Sequence, residues 1–428
     1  MIGSMITAMK GTLLQSLGRP HPWLVILLFA GPLVALFAGL AAAPIFAALA
    51  LLVIWGGWPG KPWRNVPANL ALLFGAASLW SLVSCLWTVT PVGEALRHWA
   101  AFSALTGLGL LAVGGASCLD IAHRRVIRKS LTAGILLAAA ALILEANTNY
   151  ALTRYFYALA RGVEPSTMLD SIVSRGVVLL LLLSWPATLA IFRRYGARAA
   201  ILQVAVLLLG VVGNGKHAIV LAQLAGIAAF LFTLWAPKFT LRALQITAAA
   251  MILTMPLIGQ VLPTVPELSQ ANLFNSARHR VVIWHFTIEH ITQHFWRGWG
   301  MDASREIPGA GDITDITIVQ PNGSSEIVHY THLPLHPHNG PLQTWLELGG
   351  AGALLLAAIV WSVIGNIRQA AIDPVERATR AAAVMGALIV GAISFGLWQS
   401  WWLATLWLTA ILLVAVTAPD DTGSGKTP

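Results

Sequence analysis

The sequence predicts an all-α polytopic membrane protein of about twelve transmembrane helices with one large helical periplasmic loop, and three observations predict it. Only 10% of the 428 residues are charged and 57% are hydrophobic, outside the range of soluble domains. The apolar residues fall in blocks of roughly 17–25, the length that crosses a bilayer core. The cations gather in alternate connections, as oriented insertion requires.

The blocks lie at 23–40, 42–58, 66–87, 97–116, 131–149, 173–193, 199–213, 217–235, 241–262, 341–365, 378–399 and 401–417. No cleavage pattern precedes the first, which therefore reads as an uncleaved anchor. With the N-terminus inside, Lys10, Arg19, Lys61, Arg64, Arg124, Arg125, Arg128, Lys129, Arg193, Arg194, Arg198, Lys238, Arg242, Arg368, Arg377, Arg380 and Lys426 face the cytoplasm. That is roughly 17 cations inside against about 9 outside. An even number of spans returns the C-terminus to the same side, and the polar tail after Pro419 reads as disordered. The net charge of +9 is therefore an orientation signal and leaves no basic surface for nucleic acid. Cys85 and Cys118 fall near opposite ends of successive spans, too far apart to form a disulfide.

Three parts follow: 1–262 with nine spans and a smaller periplasmic segment at 146–172, 263–338 as the large periplasmic loop, and 339–428 with three spans and a cytoplasmic tail. A loop of about 75 residues in a compact protein is usually functional or disordered. This one carries Trp284, Phe286, Phe295, Trp296 and Trp299 at spaced positions and reads as ordered. Val281, Trp284, Ile288, Ile291 and Phe295 repeat at three and four, the period of an amphipathic helix, with Asn275 or Ser276 as its cap.

The first turn of that helix carries Arg278, His279 and Arg280. Cations there oppose the helix dipole. They are either a solvated basic start or an anion site in which guanidiniums and backbone N–H groups meet a phosphate. Arg97, Arg154, Arg161, Arg175 and Lys216 also fall on the outer side, against the orientation rule. Singly each can snorkel; together they resemble a receptor for a polyanionic headgroup.

Most of the twelve histidines lie in the large loop, at 279, 285, 290, 294, 329, 332, 336 and 338. His285, Glu289, His290 and His294 come near a zinc pattern but miss its spacing. The loop's acids are scattered without the pairing that Mg²⁺ or Mn²⁺ needs, so no metal site is expected. The sharpest local feature is LHPHNGPLQTWLELGGAG at 335–352. Asn339 or Gly340 can cap a helix that Pro341 opens. His338 then stands at a helix entrance, where the dipole disfavours an imidazolium and leaves a neutral proton acceptor. The alternative is a histidine that only hydrogen-bonds the loop.

These residues resemble the O-antigen ligase family, within a group that includes O-antigen polymerases and bacterial O-oligosaccharyltransferases. The family pattern is His, a polar residue such as Asn, nine residues, Gly, two residues, then Gly, Thr or Tyr; here it reads His338, Asn339, Gly349 and Gly352. Arg280 with Trp284, followed by GWG at 298–300, is similar to the family's loop helix, and Arg175 with Leu179 fits its Arg-to-Leu pattern near a span end. Where family members often carry Ser-Arg or Thr-Arg before a span, this chain has Gly215-Lys216, which keeps the charge but not bidentate phosphate geometry.

The resemblance implies a fold similar to the helical GT-C glycosyltransferases, in the bacterial inner membrane. It implies transfer of a polysaccharide from an undecaprenyl-pyrophosphate-linked donor to a lipid A-core acceptor at the periplasmic face, without metal or cofactor. His338 is then expected to take the proton of the acceptor hydroxyl in an inverting transfer, with Arg280, Arg175 and Lys216 neutralising the pyrophosphate. Arg278 and His217 support the donor site, Asn339 caps the helix or orients His338, and Arg154 and Arg161 bind lipid A phosphates or the donor. Trp398, Trp401, Trp402 and Trp407 line a lateral opening between spans or form an aromatic belt. A polymerase or a transferase to protein would use the same chemistry on another acceptor. A lipid-linked sugar transporter would instead place ionisable groups near mid-membrane.

Overall fold

The computed structural model describes residues 20–162, 169–271, 273–319 and 324–417. Lys10, Arg19, Lys426 and the tail after Pro419 lie outside the described residues. Each of the twelve apolar blocks becomes a helix: α1 (Pro22–Phe37), α2 (Ala42–Gly57), α3 (Ala68–Ser84), α4 (Val92–Ser117) and α5 (Ile121–Asn147). The short α6 (Ala151–Arg161) precedes α7 (Leu169–Tyr195), α8 (Ala197–Gly213), α9 (His217–Trp235) and α10 (Pro237–Thr254). After the long loop come α12 (Gly340–Gln369), α13 (Pro374–Ile393) and α14 (Ser400–Ala415). Seven helical stretches among the described residues are long and apolar enough to cross a membrane, and α1, α3, α8 and α14 are shorter apolar helices. The chain is a multi-pass, all-α membrane protein.

α5 starts ten residues before its apolar block, because Arg124, Arg125, Arg128 and Lys129 continue the helix beyond the apolar stretch. α7 is the central helix. Its run of Val and Leu is apolar on every side, and a helix apolar all round belongs in an interior. Val173 and Val177–Leu183 are buried there, against α1, α5, α8, α13 and α14. Trp398, Trp401 and Trp402 are buried as well, which corrects the aromatic-belt reading: their indoles point into the bundle. Cys85 and Cys118 are both free.

The long loop holds more than a helix. α11 (Asn275–Gln293) is joined by an antiparallel ribbon of β1 (Ile313–Val319) and β2 (Ser325–Thr331), in which Ile313 faces Thr331 and Ile316 faces Val328. Ile316, Ile318 and Tyr330 turn inward against Val281 and Val282 of α11 and Leu268. The opposite side of α11 packs Ile283, Phe286 and Ile291 against Leu342, Trp345 and Leu346 of α12. The loop is thereby fixed on the bundle. The cap of α11 differs from expectation: Phe274 holds that position without a side-chain bond, and the Asn275 Oδ1 accepts from the Arg278 guanidinium instead (3.1 Å).

Candidate active site

The site is organised by a break in α12. Asn339 caps the helix, its side chain accepting from the Leu342 N–H (3.0 Å), and Pro341 fills the first turn, where no N–H is needed. The helix then breaks at Gly349, with φ 65° and ψ −166°. A break inside an apolar helix leaves backbone groups that must find partners elsewhere, and they do. Leu346 and Glu347 carbonyls accept from Trp299 N (2.9 Å) and Gly300 N (2.8 Å), and the amides of Gly350 and Ala351 donate to Phe295 O (2.8 Å) and Trp296 O (3.3 Å). The Trp80 indole donates to Leu348 O (2.9 Å). The two chains cross so closely that a Cβ on Gly349 would lie 2.4 Å from the Trp296 carbonyl, and one on Gly298 as near Glu347. Past the break, a Cβ on Gly352 would lie 2.3 Å from that of Leu348. The spacing from His338 to Gly349 and Gly352 is the length of this first half-helix and its crossing point.

His338 sits two residues before α12 in a left-handed conformation, φ 53°, a cost that a non-glycine residue bears only where the surroundings enforce it. Its backbone N–H donates to Nδ1 of His336 (3.1 Å). Its own Nδ1 lies 2.8 Å from the carbonyl of Ser394, just past α13. A carbonyl only accepts, so Nδ1 carries the proton and Nε2 is left as a bare acceptor. Burial holds the His338 imidazole below the usual histidine range, helped by the charges of Arg280 and His279 and opposed by the Ser394 bond. His336, more tightly enclosed, is pushed down to about 3 by burial, His338 and Arg305.

α11 brings the cation. Trp284 donates its indole N–H to Pro337 O (2.9 Å), beside His338. Arg280 is one turn earlier on the same face, and its charge is felt at His338. Among the described residues Arg280 has no carboxylate partner; burial alone lowers its basicity. Arg278 is occupied otherwise. Its guanidinium donates to Leu268 O (3.2 Å), Ala271 O (2.7 Å) and Asn275 Oδ1 (3.1 Å), so it holds the loop together and has few donors left for a ligand.

The membrane-side cations converge on the same end. Lys216 is buried at the start of α9, its Nζ 5.7 Å from the Tyr150 ring centre. His217 stacks on Phe274, which directly precedes α11 (6.3 Å, 10°). Arg175, near the start of α7, lies over Gly39 in the α1–α2 turn. It has no carboxylate partner among the described residues. Arg154 on α6 donates to Asn149 O, while Arg161 is exposed at the end of that helix.

The other loop histidines are spent singly. His279 meets Thr331 O (2.9 Å), His285 meets Pro263 O (2.9 Å), His290 meets Phe286 O (2.8 Å) and His332 meets Thr314 Oγ1 (2.8 Å). His294 packs edge-on to Trp299. Among the described residues no three His, Cys, Asp or Glu side chains gather as a metal site would need.

The family profile of the O-antigen ligases matches residues 202–357, from α8 to beyond the break in α12. A protein of Rickettsia felis described as a polysaccharide ligase is 30% identical over 356 residues, covering 82% of this chain and 80% of its own. The chain belongs to the O-antigen ligase family. Similar relatives, also described as polysaccharide ligases, occur in Rickettsia conorii (27% over 370 residues, 84% and 82% covered) and Rickettsia bellii (27% over 342 residues, 80% and 79% covered). Membership makes this a ligase-type enzyme of the membrane.

One residue of this family member escaped the sequence reading. Glu347, on the half-helix between His338 and Gly349, is fully buried. It accepts from Asp302 N (3.1 Å), Gln343 Nε2 (3.1 Å), the Ser304 hydroxyl and the Trp398 indole. Asp302 itself pairs with His98 at 2.6 Å. The available signal was a lone carboxylate in an otherwise apolar run, which is costly in a membrane and usually functional.

Proposed function

We propose that this enzyme is a glycosyltransferase that moves an O-antigen polysaccharide from undecaprenyl pyrophosphate to a sugar hydroxyl of lipid A-core. The observation that carries this reading is His338: its Nδ1 is committed to the Ser394 carbonyl (2.8 Å), and its Nε2 is free to accept. In the proposed step the acceptor hydroxyl oxygen attacks the anomeric carbon and its proton passes to Nε2. The bond from that carbon to the diphosphate oxygen breaks, and undecaprenyl pyrophosphate leaves with the electron pair. Attack opposite the leaving group inverts the anomeric centre. Arg280 neutralises the leaving diphosphate, with Arg175 and Lys216 contributing from the membrane side and His217 and Asn339 in support. Fixed cations in a half-buried site do the work that a metal ion does elsewhere.

The reading places the loop of 263–338 and the segment 146–172 on the periplasmic face of the bacterial inner membrane, both termini in the cytoplasm, and Arg154 and Arg161 at lipid phosphates. The positive-inside distribution supports that orientation. The bundle resembles GT-C enzymes in this reading. The test uses purified protein in nanodiscs with lipid-linked polysaccharide, lipid A-core and EDTA. A polysaccharide–lipid A product from wild type is expected. Lengthening of the lipid-linked chain would mean a polymerase, and activity abolished by EDTA would sink the metal-independent mechanism.

A further inference from the structure

We propose that Glu347 and Gln343 are positioning residues for His338, acting through the short link between α13 and α14. The proposal rests on the reading of His338 as the base. The link, residues 394–399, is irregular and has no helix of its own to hold it, yet it supplies the carbonyl that sets the His338 tautomer. Its fixation comes from the half-helix of α12. Gln343 Oε1 accepts from the backbone N–H of Leu397 (2.7 Å), and Gln343 Nε2 donates to Glu347 (3.1 Å). Glu347 takes the indole N–H of the next residue, Trp398. Two consecutive link residues are thus clamped, one by its backbone and one by its side chain. Gln399 completes the link, with the Trp401 indole donating to its Oε1 (2.8 Å) and its Nε2 3.3 Å from His336 Nε2.

Glu347 is suited to this task and to little else. The Trp398 indole and the Asp302 N–H donate to one of its oxygens, and Gln343 Nε2 and the Ser304 hydroxyl donate to the other. An amide nitrogen in either place would meet a group that can only donate, so a carboxylate fits where a carboxamide does not. Among the described residues it pairs with no cation. Its remaining bonds, to Asp302 N and Ser304, fasten the segment after GWG to the same half-helix. One buried carboxylate therefore sets the distance between the loop, α12 and the 394–399 link. If the link drifts, Ser394 no longer holds the proton on Nδ1, and His338 can turn its protonated nitrogen toward the acceptor.

Glu347→Gln and Gln343→Ala, in full-length protein in nanodiscs, test the idea by transfer kinetics and by hydrogen–deuterium exchange of the peptide spanning 394–399. We expect kcat to fall about 100-fold, the order that a misplacement near 1 Å causes, with the donor KM unchanged and exchange in the link raised. Near-wild-type kcat with a loosened link would overturn the proposal, as would lost kcat with unchanged exchange. Should Glu347→Gln fail to fold, Gln343→Ala decides the matter, because it leaves Glu347 its other three donors. Transfer retained by His338→Ala would mean instead that the base assignment had failed, whatever Glu347 does.

Discussion

α13 runs about 30 Å, from 20 residues at 1.5 Å each, between two arginine-rich regions. At its start Arg193 pairs with Asp373 (2.5 Å) and Glu376 (3.0 Å), and Arg380 pairs with Glu376 (2.6 Å). Arg124 spends its guanidinium on the terminal carbonyls of α4 and α14, including Ala116, Ser117, Val414 and Ala415. A cavity of about 670 Å³ opens among these groups, but their charges are already answered. At the far end, beyond Ser394, Arg280 stands without a carboxylate among the described residues and its charge reaches the His338 imidazole, and Arg175, near the start of α7, has none either. The same residue type is a fastener where acids and carbonyls meet it and a candidate ligand group where none do. Size of opening is a poor guide between them; unanswered charge is the better one.

The strongest test of that contrast is His338→Ala. Loss of a general base should cost about 10²–10⁴-fold in transfer, read as product formation, with the melting temperature close to wild type. Retained transfer would remove the chemistry from this end. Next, Arg280→Lys should be nearly as damaging as Arg280→Ala, about 10²–10³-fold, because an ammonium cannot make the paired contacts of a guanidinium. A harmless Arg280→Lys would reduce that contact to a point charge. At the start of α13 the expectation reverses. Glu376→Ala removes the carboxylate of Arg380 and one of the two that meet Arg193, so the unfolding temperature should drop while the folded fraction keeps its transfer rate; a selective loss of rate would erase the distinction between the ends.

The smallest effect is on pH. Because burial depresses His338, transfer should hold steady as pH falls through 6.5, where an ordinary histidine would become charged. Stability should behave differently. The unfolded chain protonates His336 near 6.5 and the folded chain only near 3, so between those values the unfolded state binds more protons and stability falls with pH. Melting curves of wild type and His336→Asn at several pH values would show it; parallel acid dependence would mean that His336 is not the cause.

The helices were legible because a bilayer imposes apolar runs of about a span's length, and each of the twelve apolar blocks became a helix, seven helical stretches among the described residues being long and apolar enough to cross. Motif spacing pointed to His338 and Arg280, since each sits where one helix begins. What stayed hidden was whatever depends on chains meeting. The stretch LELGGAG reads as continuous helix, and only the segment crossing it at 295–300 shows Gly349 as a break. Motif spacing ranks Arg280 above Arg278 but still leaves Arg278 a place at the donor; only the carbonyls of Leu268 and Ala271, which take its guanidinium, show that it is spent on the loop. The ribbon was present in the many β-branched residues of ITDITIV and in the Ile, Val, Tyr and Thr of SEIVHYT, but it was hidden beside the stronger helical signal of α11.

The crossing at Gly349 also limits how such enzymes can be recombined. Backbone atoms of the 295–300 segment complete the hydrogen bonding of a membrane helix, so the long loop is not a detachable module that can be swapped between relatives at its two ends. A chimera that exchanges the loop must bring residues 340–352 with it, or the transplanted loop and the resident helix will each carry unmatched amides and carbonyls into an apolar setting.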